Sequence, residues 1–313
     1  MRQETGGRRP ESGDRRQGST NPPVSRLRTP ASRKGFVLVL VLAMLTIAAL
    51  LSAGMASRSF ERAAAAALMQ EELQLRWGEL SCRAAVLNRA EILLRIQEQK
   101  RGEILPAMET AFELGGHTYF LILSDEQAKL NLNTVFREKD LSQVRQAASL
   151  LSAEFPVHLR PDPRASRRSA FPPAFSGLGQ VYDFRAAGNE WNRGAERFLR
   201  CGQEVSCWGN GMLNINRASP ERIRMAGELA APPQTVSRLL ETVQENRGKP
   251  LDVILKETDI SDRERREFRK LFTDRSRTFS LGMIVSTPNR SRVRLDVRSL
   301  DNPFGSGIES FYW

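Results

Sequence analysis

The sequence predicts an α+β chain with one long N-terminal helix, a small antiparallel sheet, and a block of helices inserted between the strands. Three observations carry this. Phe36 to Ser57 is an uncharged run of 22 residues whose helical composition continues without a proline to Lys100. Residues 279–287 and 291–299 alternate apolar and polar side chains, as half-buried strands do. Between residues 213 and 275 the helix formers return with capping residues in place.

Composition sets limits before any motif. The 313 residues contain three cysteines and two histidines, too few for a closed zinc site at recognisable spacing. The formal net charge is +11. Residues 1–35 hold nine Arg or Lys against three acids, so more than half of that charge sits in a short basic leader. A basic segment directly before an apolar run reads as a topology signal rather than a nucleic-acid footprint.

A helix of 22 residues rises about 33 Å, enough to cross a hydrocarbon core of about 30 Å. A cleaved secretory signal fits less well, because its apolar core is shorter. With Arg33 and Lys34 at its start, the segment places its N-terminal end in the cytoplasm and the larger part of the chain outside. Beyond it, Leu68, Leu75, Cys82, Val86, Leu87, Leu93 and Leu94 recur at three- and four-residue steps. One helix of about 65 residues follows, half in the membrane, ended by Gly102 and Pro106.

After Pro106 a strand is expected over His117–Leu123, a turn over Ser124–Gln127, and a half-buried strand over Lys129–Thr134. Leu141–Phe155 reads as an amphipathic helix. Residues 156–179, rich in Pro and Arg, read as a loop. Phe198–Gly202 and Met212–Asn216 read as paired strands joined through the Gly209–Asn210–Gly211 turn. Cys201 and Cys207 lie inside that candidate hairpin. In an oxidising space they either bridge or remain two separate thiols, while Cys82 reads as core. Ser219, Pro220 and Glu221 open a helix, a turn through Ala230–Pro233 leads to a second, and Leu251–Leu255 and Ser261 to Phe272 add two more. The terminal hairpin is joined by Pro288–Asn289–Arg290.

Two phrases and one junction carry a family resemblance. The junction is SRKG, then Phe36. The phrases are DEQAKLNLNT at 125–134, and LNINRAS at 213–219 followed by a helical hairpin. Together they resemble the minor pseudopilin K family of bacterial type II secretion systems. The resemblance implies a pilin-like helix on a small antiparallel sheet, with an inserted SAM-like or helix-hairpin-helix domain. It implies cleavage after Gly35 by a prepilin peptidase and methylation of the new N-terminus, Phe36. The expected organisation is a leader (1–35), a membrane helix (36–57), and the rest of that helix with the first strands (58–134). An inserted helical domain (135–275), containing the 156–179 loop and the 198–216 strand pair, precedes C-terminal strands (276–313).

Most pilin-like chains carry Glu at the fifth mature position; here that position is Leu40. A carboxylate in lipid is costly unless paired, and its partner in such filaments is a neighbour's amino terminus. A subunit with no neighbour above it has no use for that carboxylate. The resemblance therefore implies a tip subunit in the inner membrane with a periplasmic domain, which initiates or caps a pseudopilus. Its partners would be the I- and J-type minor pseudopilins, the major pseudopilin and the inner-membrane assembly platform. No nucleic-acid partner is expected.

Two other readings start from the same residues. Helix-hairpin-helix units also bind DNA, but they do so through bare backbone N–H groups in a glycine turn. Here the turn carries Pro232 and Pro233, which lack those donors. A carboxylate pair for acid–base chemistry would be Asp125–Glu126 or Glu264–Glu267. A turn and a solvated helix face are the simpler accounts, and His117 has no nucleophile partner in sequence. Some family members bind Ca²⁺, an ion that takes six to eight oxygens. Asp183, Asn189 and Glu190, or Asp252, Asp259 and Asp262, are candidate sources, with no ligand assigned.

Overall fold

The computed structural model describes residues 33–151, 158–159, 175–183, 199, 202–287, 291–300 and 308–312. The chain divides into two compact units, residues 1–67 and 68–313. The first is described by the N-terminal part of helix α1 (Arg33–Val86), whose residues from Phe36 onward are exposed along their length.

In the second unit, α1 ends at Val86. A 3-10 turn at Leu87–Arg89 separates it from α2 (Ala90–Arg101), so the expected single helix is interrupted once. Asn88 Nδ2 donates to the Ala84 carbonyl at 3.2 Å, a side-chain competitor for a helix acceptor. Gly102 closes α2 in the left-handed region at φ 71°, its N–H bonded to Glu98 O.

Strands β1 (Ala107–Leu114) and β2 (His117–Asp125) form a hairpin over Gly115 and Gly116. Both glycines have positive φ, as a two-residue turn of this twist needs. The sequence reading passed over β1, although the Gly-Gly pair was its signal. β9 (Thr278–Ser286) and β10 (Ser291–Ser299) form the expected terminal hairpin, and β11 (Ile308–Tyr312) adds a strand that was not expected. The sheet order among the described residues is β1-β2-β9-β10-β11, antiparallel throughout. Since β2 and β9 are neighbours, everything between residues 126 and 277 is an excursion from one sheet.

Alternation within the strands feeds two cores. Tyr119, Leu121 and Leu123 of β2, with Phe279, Leu281, Met283 and Val285 of β9, pack on Leu75, Cys82, Leu87, Ala90 and Leu94 of the helix. Ile122 of β2 and Val293, Leu295 and Val297 of β10 face the other way, into the core of the inserted helices. The apolar stripe read from the sequence is thus largely consumed by the chain's own sheet.

The excursion contains β3 (Leu130–Asn131), α3 (Leu132–Glu138), α4 (Leu141–Leu151), β4 (His158–Leu159), β5 (Tyr182–Asp183), β6 (Val205–Ser206) and β7 (Leu213–Asn214). It continues through α5 (Pro220–Gly227), α6 (Pro233–Glu245), α7 (Leu251–Glu257), α8 (Asp262–Leu271) and β8 (Phe272–Thr273). One expectation is corrected here. Lys129–Thr134 is not one strand: Asn131 caps α3, accepting from the N–H groups of Asn133 and Thr134 at 2.9 and 3.2 Å. Of Phe198–Gly202, expected to pair with Met212–Asn216, only Leu199 and Gly202 lie within the described residues. β6 runs parallel to β3, and β7 runs parallel to β8, each over two residues. The Gly209–Asn210–Gly211 turn does exist, with both glycines at positive φ, but it joins strands with different partners. Asp183, expected in a loop, lies in β5, paired with His158.

Candidate functional site

Two regions answer to the residues singled out in the sequence: the junction at the head of α1, and the place where the two Asn-rich phrases meet.

At the junction, Gly35 and Phe36 lie within α1, and the Phe36 side chain is exposed. By length and composition, α1 from Phe36 onward is long and apolar enough to cross a membrane. Leu40 is exposed as well, and no acid occurs between Phe36 and Glu61.

The first phrase forms a buried knot. Asp125 caps a 3-10 turn by accepting from Gln127 N–H at 2.9 Å. It also accepts from Arg217 Nη1 at 3.2 Å and from the Ser276 hydroxyl. Glu126 accepts from Lys129, Ser280 and, at 2.6 Å, Ser206. Gln127 Nε2 donates to Asn210 Oδ1 at 2.9 Å, and Gln127 Oε1 accepts from Arg277 N–H at 2.5 Å. Asn131 donates to Trp208 O at 2.7 Å, Asn133 to Cys207 O at 2.7 Å and to Phe175 O at 2.9 Å, and Thr134 to Gly211 O at 2.8 Å. Short polar side chains here do the work of strand pairing, satisfying loop carbonyls that have no ladder.

The second phrase repeats the device. Asn214 donates to Ser276 Oγ at 2.7 Å, and its carbonyl oxygen accepts from Asn216 N–H at 3.0 Å. Asn216 donates to Lys249 O at 3.1 Å and accepts from Gly248 N–H at 2.8 Å. Arg217 joins the two phrases: its fork binds both oxygens of Glu98 on α2, at 2.9 and 3.2 Å, and its remaining amine reaches Asp125. Arg222 donates to Ala128 O at 3.0 Å and pairs with Glu204 at 2.6 Å.

Burial pushes the Asp125 carboxyl above the usual range, against the opposing pull of Arg217 and of the hydrogen bonds from Ser276 and Gln127. Asp125 and Glu126 are fully buried and committed to protein donors, so the pair is an anchor rather than an acid–base couple. The expected turn is present as the 3-10 turn that Asp125 caps, and it is buried. Glu264 lies at the surface in a capping box with Ser261 and accepts from Thr235 at 2.9 Å, while Glu267 pairs with Lys270 at 2.8 Å. His117 opens β2, half-buried.

The helical hairpin offers no phosphate cradle. The N–H groups of residues 228 to 231 bond to carbonyls of Arg224, Ala226 and Gly227, and Pro232 and Pro233 have none to offer. For a cation, Asp252 pairs with Arg269, Asp259 with Arg238 and Asp262 with Arg265. No group of three or more His, Cys, Asp or Glu among the described residues is arranged to hold a metal, so these three acids do not fit a calcium cage. Asn189 and Glu190 lie outside the described residues, as does Cys201; Cys207 is buried.

The sequence reading missed the residues that bind α1 to the sheet. Glu79 is buried and meets Arg294 of β10 at 3.2 Å, Arg294 pairs with Asp296 at 2.9 Å, and Arg292 pairs with Glu72 at 2.6 Å. The alternating charges of SRVRLDVRS were their only signal.

Neither a protein-family model nor a curated protein sequence matches the chain. Among solved structures it is similar to one described as the crystal structure of the GspK-GspI-GspJ complex from the enterotoxigenic Escherichia coli type 2 secretion system. That similarity has a TM-score of 0.47 at 14% identity and covers 78% of this chain and 98% of the other.

Proposed function

We propose that this chain is a non-enzymatic minor pseudopilin of a type II secretion system, placed at the tip of the pseudopilus, where it initiates or caps assembly. The observation that carries the reading is the connection of three things on one chain. A basic leader ends in Gly35 and meets an uncharged helix at Phe36. That helix packs, through Leu75 to Leu94, on a five-stranded antiparallel sheet. The sheet is interrupted between two neighbouring strands by a helical excursion, held by the two phrases that carry the family resemblance.

In this reading the Phe36–Ser57 segment holds the precursor in the inner membrane, with the larger domain in the periplasm. Prepilin peptidase cuts after Gly35, and Phe36 becomes the methylated end. Leu40 in place of Glu suits a subunit without a neighbour above it. The helical excursion blocks further stacking, and the I- and J-type minor pseudopilins, the major pseudopilin and the assembly platform are the partners. Catalysis has no support in the geometry, because the candidate carboxylates are occupied by structural partners.

The test is the intact mass of the protein expressed with and without a prepilin peptidase. The reading expects a chain beginning at Phe36 only when the peptidase is present, and none from Gly35→Ala. An uncut chain in both cells would refute it.

A further inference from the structure

Strand β1 is one edge of the sheet, with β2 its only neighbour among the described residues. The two-residue turn over Gly115 and Gly116 makes Leu114 and His117 a hydrogen-bonded pair, and such pairs alternate along an antiparallel ladder. Even-numbered residues of β1 therefore turn their backbone groups toward β2. Asp125 N–H donates to Pro106 O at 2.8 Å, which keeps the same phase. Ala107, Glu109, Ala111 and Glu113 consequently direct their N–H and C=O groups outward, away from β2.

Sheet edges are usually short, bulged, or guarded by proline or lysine. β1 uses none of these devices. It runs eight residues in unbroken register with β2, without Pro, Lys or Arg. Every residue from Glu109 to Leu114 is exposed. Alternation puts Glu109, Ala111 and Glu113 on one face of the strand. Met108, Thr110, Phe112 and Leu114 lie on the other, where Met108 packs against the helix–sheet core and Phe112 stacks on Tyr119. Glu109 accepts one long bond, from Gln203 Nε2 at 3.4 Å. Neither Glu109 nor Glu113 has an ion-pair partner among the described residues.

These acids select the occupant of the edge. A strand added to β1 sets three of its residues opposite Glu109, Ala111 and Glu113 in hydrogen-bonded pairs, with side chains on the same face. Basic residues four positions apart meet both acids, and the small Ala111 leaves room between them for a large side chain. The intervening residues lie beside Thr110 and Phe112, where apolar side chains fit. A second copy of this chain does not meet these terms. In the two registers of greatest overlap that pair outward groups with outward groups, β1 against β1 sets Glu109 and Glu113 opposite each other or one diagonal step apart, and like charges there repel.

We infer that β1 accepts an extended segment of another chain as a sixth strand of the sheet, and that this segment carries Lys or Arg at two positions four apart with apolar residues between them. The inference goes beyond the pseudopilin reading and does not depend on it.

The test is binding of a fluorescent peptide, Thr-Lys-Val-Tyr-Val-Lys-Thr, to the full-length protein in detergent, read by anisotropy at low salt. The same peptide with Glu in place of both Lys is the control. The Lys peptide should bind, and the Glu peptide should bind about tenfold more weakly, the scale of two cross-strand pairs turned to repulsion. Glu109→Lys with Glu113→Lys should reverse that preference. Ala111→Pro should abolish binding and leave the urea midpoint near the wild type's, because the amide it removes points outward and not into the ladder. Should that variant fail to fold, the charge reversal decides alone. No binding of the Lys peptide, equal binding of the two peptides, or binding that survives in folded Ala111→Pro would overturn the inference. Normal processing at Gly35 without peptide binding would sink this inference alone, and peptide binding to a chain that prepilin peptidase leaves uncut would sink only the pseudopilin reading.

Discussion

Gly78 of α1 abuts the hydroxyl end of the Tyr119 side chain of β2. A Cβ at Gly78 would overlap the Tyr119 hydroxyl and come within 2.5 Å of the ring carbon Cζ. Tyr119 cannot simply yield, because Phe112 of β1 stacks on it with ring centroids 5.6 Å apart at 11°. The helix approaches the sheet this closely only because position 78 has no side chain.

Gly78→Ala should therefore destabilise the fold. Ala gains up to about 1 kcal/mol as a helix former. Overpacking of a stiff ring costs about 1–3 kcal/mol, so the net loss is up to about 2 kcal/mol. Urea unfolding of the detergent-solubilised protein measures it. A midpoint higher than the wild type's would show that the ring has room to move.

Arg217 holds Glu98 and Asp125 together, and both acids are buried or nearly so. Arg217→Ala leaves the Asp125 charge without its cation and should cost about 3–5 kcal/mol, whereas Arg217→Ala with Asp125→Asn should recover part of that loss. The double-mutant cycle in urea reads the coupling. A single-mutant loss below about 1 kcal/mol would mean that Ser276 and Gln127 suffice to hold Asp125.

Asp125 sets a pH dependence with a definite sign. Its folded carboxyl holds a proton more tightly than the unfolded chain does, because burial outweighs Arg217. The stabilisation from that proton is complete below the unfolded value and is lost as pH rises through the folded one. The stability difference between wild type and Asp125→Asn should be most in favour of wild type below the ordinary carboxylate range and should decline as the pH rises above it. Urea midpoints of both proteins across this range measure it. A difference that grows with pH would show the ion pair with Arg217 to be the stronger influence.

Burial, more than the nearby Glu79, pushes the Cys82 thiol up to about 11. At pH 8 iodoacetamide should leave Cys82 unmodified in the folded protein and label it only after unfolding, as followed by peptide mass. Rapid labelling of the native protein would place Cys82 outside the helix–sheet core.

The sequence alone determined the features that depend on neighbours along the chain. The uncharged Phe36–Ser57 helix, the Gly102 stop, the Ser219 and Ser261 caps, the helical hairpin and the terminal strand pair all follow from periodicity, capping and turn chemistry within a few residues. Tertiary structure decided what each polar side chain is for. Lys129–Thr134 alternates like a strand, yet its asparagines bond to carbonyls about 40 to 80 positions away and turn the chain into a helix. Asp125 and Glu126 read from the sequence as turn residues, and only the tertiary structure makes that turn the buried anchor of the excursion. Leu75 and Trp77 are both large and apolar, and only the sheet beneath the helix separates the residue that makes the core from the one left exposed. Local rules fix backbone conformation because their energies act over one or two turns. Burial and long-range hydrogen bonds depend on which surfaces meet, and that is settled when the chain closes on itself.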